Sequence, residues 1–393
     1  MGLALEVVMH GGKRWAFQVA SFRGIPIRIH VSLLLVLPLL AVVFGGVFRQ
    51  SAQAAGIQPE LMGGPVFLWG LGVAVGLFAS VLVHELAHVL YALRTGGEVR
   101  SVTLMIVGGV SEISEMPRRH RDEVLMALAG PVTSIGLSAL LFVALVLLPQ
   151  TRSFAPPFFL FYLASLNLIL GLFNLVPAFP MDGGRILRGL LAERMGLVRA
   201  TRVSAFIGKV FAVLFLAVGL FSFNIMLAAI GVFIFMGADS ESRQVLLRSV
   251  LEKLQVEQLM TPRFHGLEAD TPLEEALVQL RHERRLALPL TQEDRPIGWV
   301  VLGDVLAVPE AQRSGRTVRE FLKPAVTVAP GEDAWSAVRR MVEAQPPLLL
   351  VLEQGRLVGT LDGNDINAGL AVQLARAQRG GERSPRWRQE RPA

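Results

Sequence analysis

The sequence predicts a polytopic α-helical membrane domain of about six transmembrane helices, followed by a soluble α/β module of two tandem repeats. Three observations carry this. The chain of 393 residues is 52% hydrophobic and only 18% charged, with a mean hydropathy of +0.50, which exceeds ordinary soluble usage. The bias is uneven: residues 1–238 are mostly apolar with basic punctuation, whereas 239–393 read as an ordinary soluble sequence. Within the latter part, Gly298 through Asp304 returns as Gly359 through Asp365, and Thr271-Pro272-Leu273-Glu274-Glu275-Ala276 is echoed by Ala329-Pro330-Gly331-Glu332-Asp333-Ala334. Such self-similarity marks repeated supersecondary units. The expected divisions are 1–240 for the membrane domain and 241–376 for the module, with repeats at about 252–310 and 314–372. A basic tail at 377–393 has the composition of a disordered segment.

A bilayer core needs about 20 apolar residues per helix. Candidate spans fall at about 30–48, 67–93, 123–149, 158–177, 203–221 and 223–238, the last two short enough to form a tight hairpin. Basic residues sort by loop. Lys13, Arg14, Arg23 and Arg28 precede the first span. Arg94, Arg100, Arg118, Arg119 and Arg121 follow the second, and Arg185, Arg188, Arg194, Arg199 and Arg202 follow the fourth. The intervening loops carry only Arg49 and Arg152. The positive-inside bias then puts both termini in the cytoplasm, in what is expected to be a prokaryotic cell membrane. The same bias accounts for the net charge of +6, so no nucleic-acid partner is expected. The chain has no Cys, which excludes disulfides and thiolate metal sites.

His84-Glu85-Leu86-Ala87-His88 lies in the second span, where Phe67 to Leu93 contains no other acidic or basic side chain than Glu85. Ionisable groups at membrane depth are costly and mark function. Histidines four apart on a helix share a face and can bind one Zn²⁺, and the intervening Glu can take a proton from a metal-bound water. Further along, Asn174-Leu175-Val176-Pro177-Ala178-Phe179-Pro180-Met181-Asp182-Gly183-Gly184-Arg185 breaks the fourth span. Two prolines and two glycines unwind the helix there. A catalytic zinc keeps three protein ligands, and Asp182 is the one carboxylate in the break that could join His84 and His88. The alternative is that Asp182 caps the helix beginning near Gly184.

These two motifs in this order resemble the site-2 protease family of intramembrane zinc metalloproteases over about residues 20–240. The resemblance implies metal on His84, His88 and Asp182, and a general base at Glu85. It also implies that Asn174 positions substrate or polarises its carbonyl, against an alternative of an interhelical hydrogen bond. Residues 99–113 alternate and end in Gly108-Gly109-Val110, which reads as a β-hairpin. Its edge either pairs with an unwound substrate by strand addition or is simply covered. Small residues in Ala129-Gly130-Pro131-x-x-Ser134 predict close helix packing. His30 and His120 are expected to be solvated at the interface.

The repeats resemble a tandem pair of cystathionine-β-synthase (CBS) domains. That family often binds adenine nucleotides, holding the ribose with a Gly-x-x-Thr/Ser-x-x-Asp run. Asp304 and Asp365 keep the acid of that run, while Val301 and Asp362 replace the hydroxyl. The module therefore reads either as an adenine-nucleotide sensor or as a ligand-free module for docking or for dimerisation, the latter making a homodimer. The whole chain reads as a zinc metalloendopeptidase that cuts transmembrane or membrane-associated proteins near the cytoplasmic face, regulated through its CBS pair. A CBS-gated ion transporter would not need Glu between the histidines, and an inactive homologue would usually have lost a ligand or the base.

Overall fold

The computed structural model describes residues 15–58, 62–106, 108–113, 119–149, 153–262, 266–282, 285–293, 295–344 and 346–381. Its described residues divide into two compact units, one ending at Val245 and the other beginning at Leu246.

The first unit opens with an antiparallel hairpin, β1 (Ala16–Phe22) and β2 (Ile25–His30). Its two-residue turn places Arg23 and Gly24 at φ 51° and 84°. Positive φ at both positions suits a tight hairpin turn. This hairpin was not foreseen, although Ile25, Ile27 and Ile29 alternate as a strand should. His30 then caps α1 (Val31–Ala54), accepting from the Ser32 backbone N–H at 3.2 Å. α2 (Val66–Arg94) is followed by β3 (Val99–Met105) and β4 (Gly108–Ile113). The expected hairpin is there, and it joins a four-stranded sheet in the order β1-β2-β3-β4 with β2 parallel to β3. β4 is the edge. Val102 and Leu104 of β3 anchor the sheet, packing in buried apolar clusters with Val89 and with Phe78 and Val81 of α2.

The remaining helices are α3 (His120–Leu147), α4 (Ala155–Asn174), α5 (Asp182–Met195), α6 (Leu197–Phe221) and α7 (Ile225–Leu251). All but α5 join α1 and α2 as six helices long and apolar enough to cross a membrane. The last two are longer than their apolar stretches suggest. Hydropathy marks the part that lipid can cover, whereas backbone hydrogen bonding continues the helix through Arg199 and Arg202 in α6 and through Asp239 to Arg243 in α7. Arg188 of α5 is buried, with Nε donating to Glu123 Oε1 of α3 at 2.7 Å and Nη1 to Glu241 Oε1 of α7 at 2.8 Å. Its guanidinium also lies over the Phe179 ring, 5.2 Å from the centroid. Three helices thus meet on one buried cation.

The second unit shows the repeat as structure. One sheet runs β6 (Leu267–Glu268), β7 (Ala287–Gln292), β8 (Arg295–Val301), β9 (Lys323–Pro324). The other runs β10 (Thr327–Val328), β11 (Leu348–Glu353), β12 (Arg356–Asp362), β5 (Thr261–Pro262). Each repeat lends its first strand to the other's sheet, so neither sheet is complete alone. Helices α8 (Leu273–His282) and α10 (Ala334–Ala344) occupy equivalent places, as do α9 (Leu302–Leu306) and the start of α11 (Gly363–Gly381). α11 continues beyond Ala377, where the sequence reading ends the folded module; residues 382–393 lie outside the described residues.

Candidate metal centre

His84 and His88 stand one turn apart on α2, and both are buried. Each ring uses Nδ1 for a partner on α3. His84 Nδ1 is 2.9 Å from Ser134 Oγ, and His88 Nδ1 is 2.7 Å from the Met126 carbonyl oxygen. A carbonyl oxygen can only accept, so His88 carries its proton on Nδ1. Outer partners of this kind fix the tautomer and turn the opposite nitrogen toward a metal. The two Nε2 atoms lie 3.2 Å apart.

Asp182 closes the set. Its Oδ2 is 3.1 Å from His84 Nε2 and 3.2 Å from His88 Nε2. Asp182 is the first residue of α5, but the N-cap is Met181 and no side chain makes a capping bond there. The carboxylate faces the histidines rather than the helix end. The loop from Asn174 to Met181 brings it there, and the Phe179–Pro180 bond is cis. Three donors form a nearly equilateral triangle. Ligands about 2.0 Å from a tetrahedral zinc are about 3.3 Å from one another, so the spacing fits the ion, and two imidazoles with one carboxylate are a zinc donor set. Among the described residues this is the one cluster of its kind.

Gly130 makes the room. A Cβ on this residue would run into the His84 and His88 imidazoles. Gly130 is thus small because of two rings, whereas the expected close helix packing shows at Pro131, whose carbonyl a Cβ on Gly171 of α4 would crowd. Glu85, next to His84, points to the sheet, where Ser111 Oγ donates to its Oε2 at 2.7 Å. Asn174, the last residue of α4, donates Nδ2 to the Leu170 carbonyl of its own helix at 3.0 Å. His30 caps α1 and His120 begins α3; neither belongs to the donor cluster.

In the second unit the two Asp residues have diverged. Asp304 Oδ2 lies 2.6 Å from Lys323 Nζ, and that ammonium sits 5.4 Å from the centre of the Trp299 ring. Asp365 accepts from Thr261 Oγ1 at 2.8 Å and from the Asp362 backbone N–H at 2.9 Å. Burial is the largest influence on its carboxyl, which is pushed above the usual carboxylate range. Asp362, 3.8 Å from Arg285 Nη1, accepts from the backbone N–H groups of Asn364 and Asp365.

Sequence reasoning missed Ser134, the Met126 carbonyl, Ser111 and the contact of Gly109 with Glu85. Ser134 stood within a noted motif, but only the fold shows its hydroxyl meeting a histidine of another helix.

The description Peptidase family M50 matches residues 72–158 and 150–218, and CBS domain matches 256–310. Zinc metalloprotease MJ0392 of Methanocaldococcus jannaschii is 29% identical over 358 residues, which cover 91% of this chain and 97% of that protein. "Putative zinc metalloprotease Rip3" of Mycobacterium tuberculosis is 32% identical over 372 residues, 90% of this chain and 92% of that one. The solved site-2 protease from M. jannaschii is 31% identical, covers 58% of this chain and 95% of that chain, and gives a TM-score of 0.42.

Proposed function

The chain belongs to the peptidase M50 family of site-2 protease-like, membrane-embedded zinc metalloproteases, and from that premise we propose which residues do the work and on what. His84, His88 and Asp182 hold one zinc ion. The observation that carries this is the convergence of two Nε2 atoms and one carboxylate oxygen while both Nδ1 atoms are already engaged. When bound, zinc supplies a Lewis acid for the scissile carbonyl and lowers the pKa of water toward about 7.

Glu85 is the general base. It takes a proton from the attacking water on a carboxylate oxygen and returns it to the nitrogen of the leaving amine. Asn174 positions substrate: Nδ2 carries two N–H groups and spends one on Leu170, so the other can meet a substrate carbonyl.

The substrate is a transmembrane or membrane-associated protein. Its backbone must unwind before cleavage, because helical carbonyls are shielded. β4 is the outer strand of its sheet and carries Ser111 against Glu85, which supports strand addition of the opened substrate at this edge. The distribution of Arg among the loops supports cleavage near the cytoplasmic face with both termini inside.

The CBS pair regulates the protease, through an adenine nucleotide or by forming a homodimer. A ribose at Asp304 would have to displace Lys323. A phosphate beside Asp362 would meet an acidic group, and Arg285 is the nearby cation that could offset it. Asp365 in turn already accepts from Thr261 and from the Asp362 backbone, so a ribose at either Asp has a contact to replace. Incubating purified protein with a single-span reporter, with and without a zinc chelator, tests the core of this reading. Cleavage is expected only without chelator and should return on adding zinc.

A further inference from the structure

We propose that Ser111 is the positioning residue of the base, fixing one oxygen of Glu85 so that the other faces the attacking water. The proposal rests on the assignment of Glu85 made above. Ser111 Oγ lies 2.7 Å from Glu85 Oε2. The hydroxyl is the donor and the carboxylate oxygen the acceptor.

The bond is built into the fold. Val102 pairs with Ser111 and Leu104 with Gly109 across the β3–β4 ladder. Residues directly opposite share a face, so these four look toward α2. Val102 and Leu104 are buried against that helix and hold the strand pair at a fixed height. Gly109 lets β4 come this close, since a Cβ there would strike Glu85 Cγ and Cδ. The contact is thus seated by two buried apolar residues, a glycine and a serine on one face.

A glutamate side chain has three rotatable bonds, and holding it costs rotamer entropy. With Oε2 tied to Ser111, the other carboxylate oxygen has no hydrogen-bond partner among the described residues. Because β4 is an edge strand, the same strand that would receive substrate also holds the base.

The experiment uses full-length protein and a single-span reporter that the wild type cleaves, namely an Ala/Leu helix with a Gly-Pro break and a terminal fluorophore. Ser111→Ala is expected to lower kcat about 10-fold, with KM within about twofold and zinc content unchanged. Ser111→Thr, which restores the hydroxyl, should recover most of the loss. Ser101→Ala serves as control, because Ser101 Oγ makes a similar bond to Glu112 Oε2 at 3.0 Å in the same sheet. It should leave kcat unchanged. Wild-type kcat in Ser111→Ala overturns the proposal. So does a loss that follows zinc content or KM, a loss that Ser111→Thr does not relieve, or an equal loss in Ser101→Ala. Glu85→Gln separates the two readings: if it is inactive while Ser111→Ala keeps wild-type kcat, only this proposal fails.

Discussion

Asp182 Oδ2 stands 3.1 Å from His84 Nε2 across 98 residues of chain. No local rule brings them together. α2 presents the imidazole, the broken segment after α4 returns the carboxylate, and Gly130 of α3 clears the space between. Three elements have to be right for the three donor atoms to meet.

The first prediction follows from that dependence. Asp182→Ala should remove most of the zinc from purified protein, measured as metal per chain. Ser134→Ala removes only the outer partner of His84 and should weaken zinc binding about 10- to 100-fold. Asn174→Ala should leave zinc content unchanged. Full occupancy in Asp182→Ala would remove this residue from the ligand set.

A second prediction concerns the buried cation of α5. Arg188→Ala leaves Glu123 and Glu241 without their shared partner in a buried site. Breaking a buried ion pair by removing one partner costs about 3–5 kcal/mol. Denaturant unfolding in detergent should show a loss of that order. Arg121→Ala removes an exposed pair with Glu193 and should shift the midpoint far less.

Orientation can be read directly. Reporter fusions after residues 55 and 153 should report the outside, and fusions after 110, 195 and 250 the cytoplasm. A cytoplasmic signal at 55 would reverse the orientation and move cleavage to the opposite face.

The CBS pair yields a fourth prediction. Calorimetry on residues 250–376 should detect ATP, ADP or AMP, and substituting either Asp304 or Asp365 by Ala should weaken binding. Absence of heat at millimolar nucleotide would leave dimerisation as the role of the module. Deletion of the module should then dissociate a dimer, measured by light scattering.

The legible parts were those with strong local chemistry. His84-Glu85-x-x-His88 is visible because a helix puts residues four apart on one face, and because charge at membrane depth demands a reason. Asp182 was visible through the prolines and glycines that break its surroundings. The repeat was visible because Gly298–Asp304 and Gly359–Asp365 copy each other. What stayed hidden needed the fold. Whether Ser111 meets Glu85 or solvent depends on strand register and on the height of the sheet over α2, and neither is encoded near residue 111. The exchange of first strands between the repeats was equally out of reach, since Thr261 and Pro262 pair with Gly359 and Thr360 far along the chain. The lengths of α6 and α7 were underestimated because hydropathy reports lipid contact and not hydrogen bonding.

The central claim is that Glu85 moves the proton while His84, His88 and Asp182 hold the metal. Glu85→Gln keeps the size and the polarity of the side chain but cannot accept a proton at neutral pH. Zinc content and reporter cleavage should be measured on the same preparation of this variant. Wild-type zinc with cleavage lowered by at least about 100-fold is the predicted result. Zinc loss, or turnover near wild type with zinc in place, would contradict it.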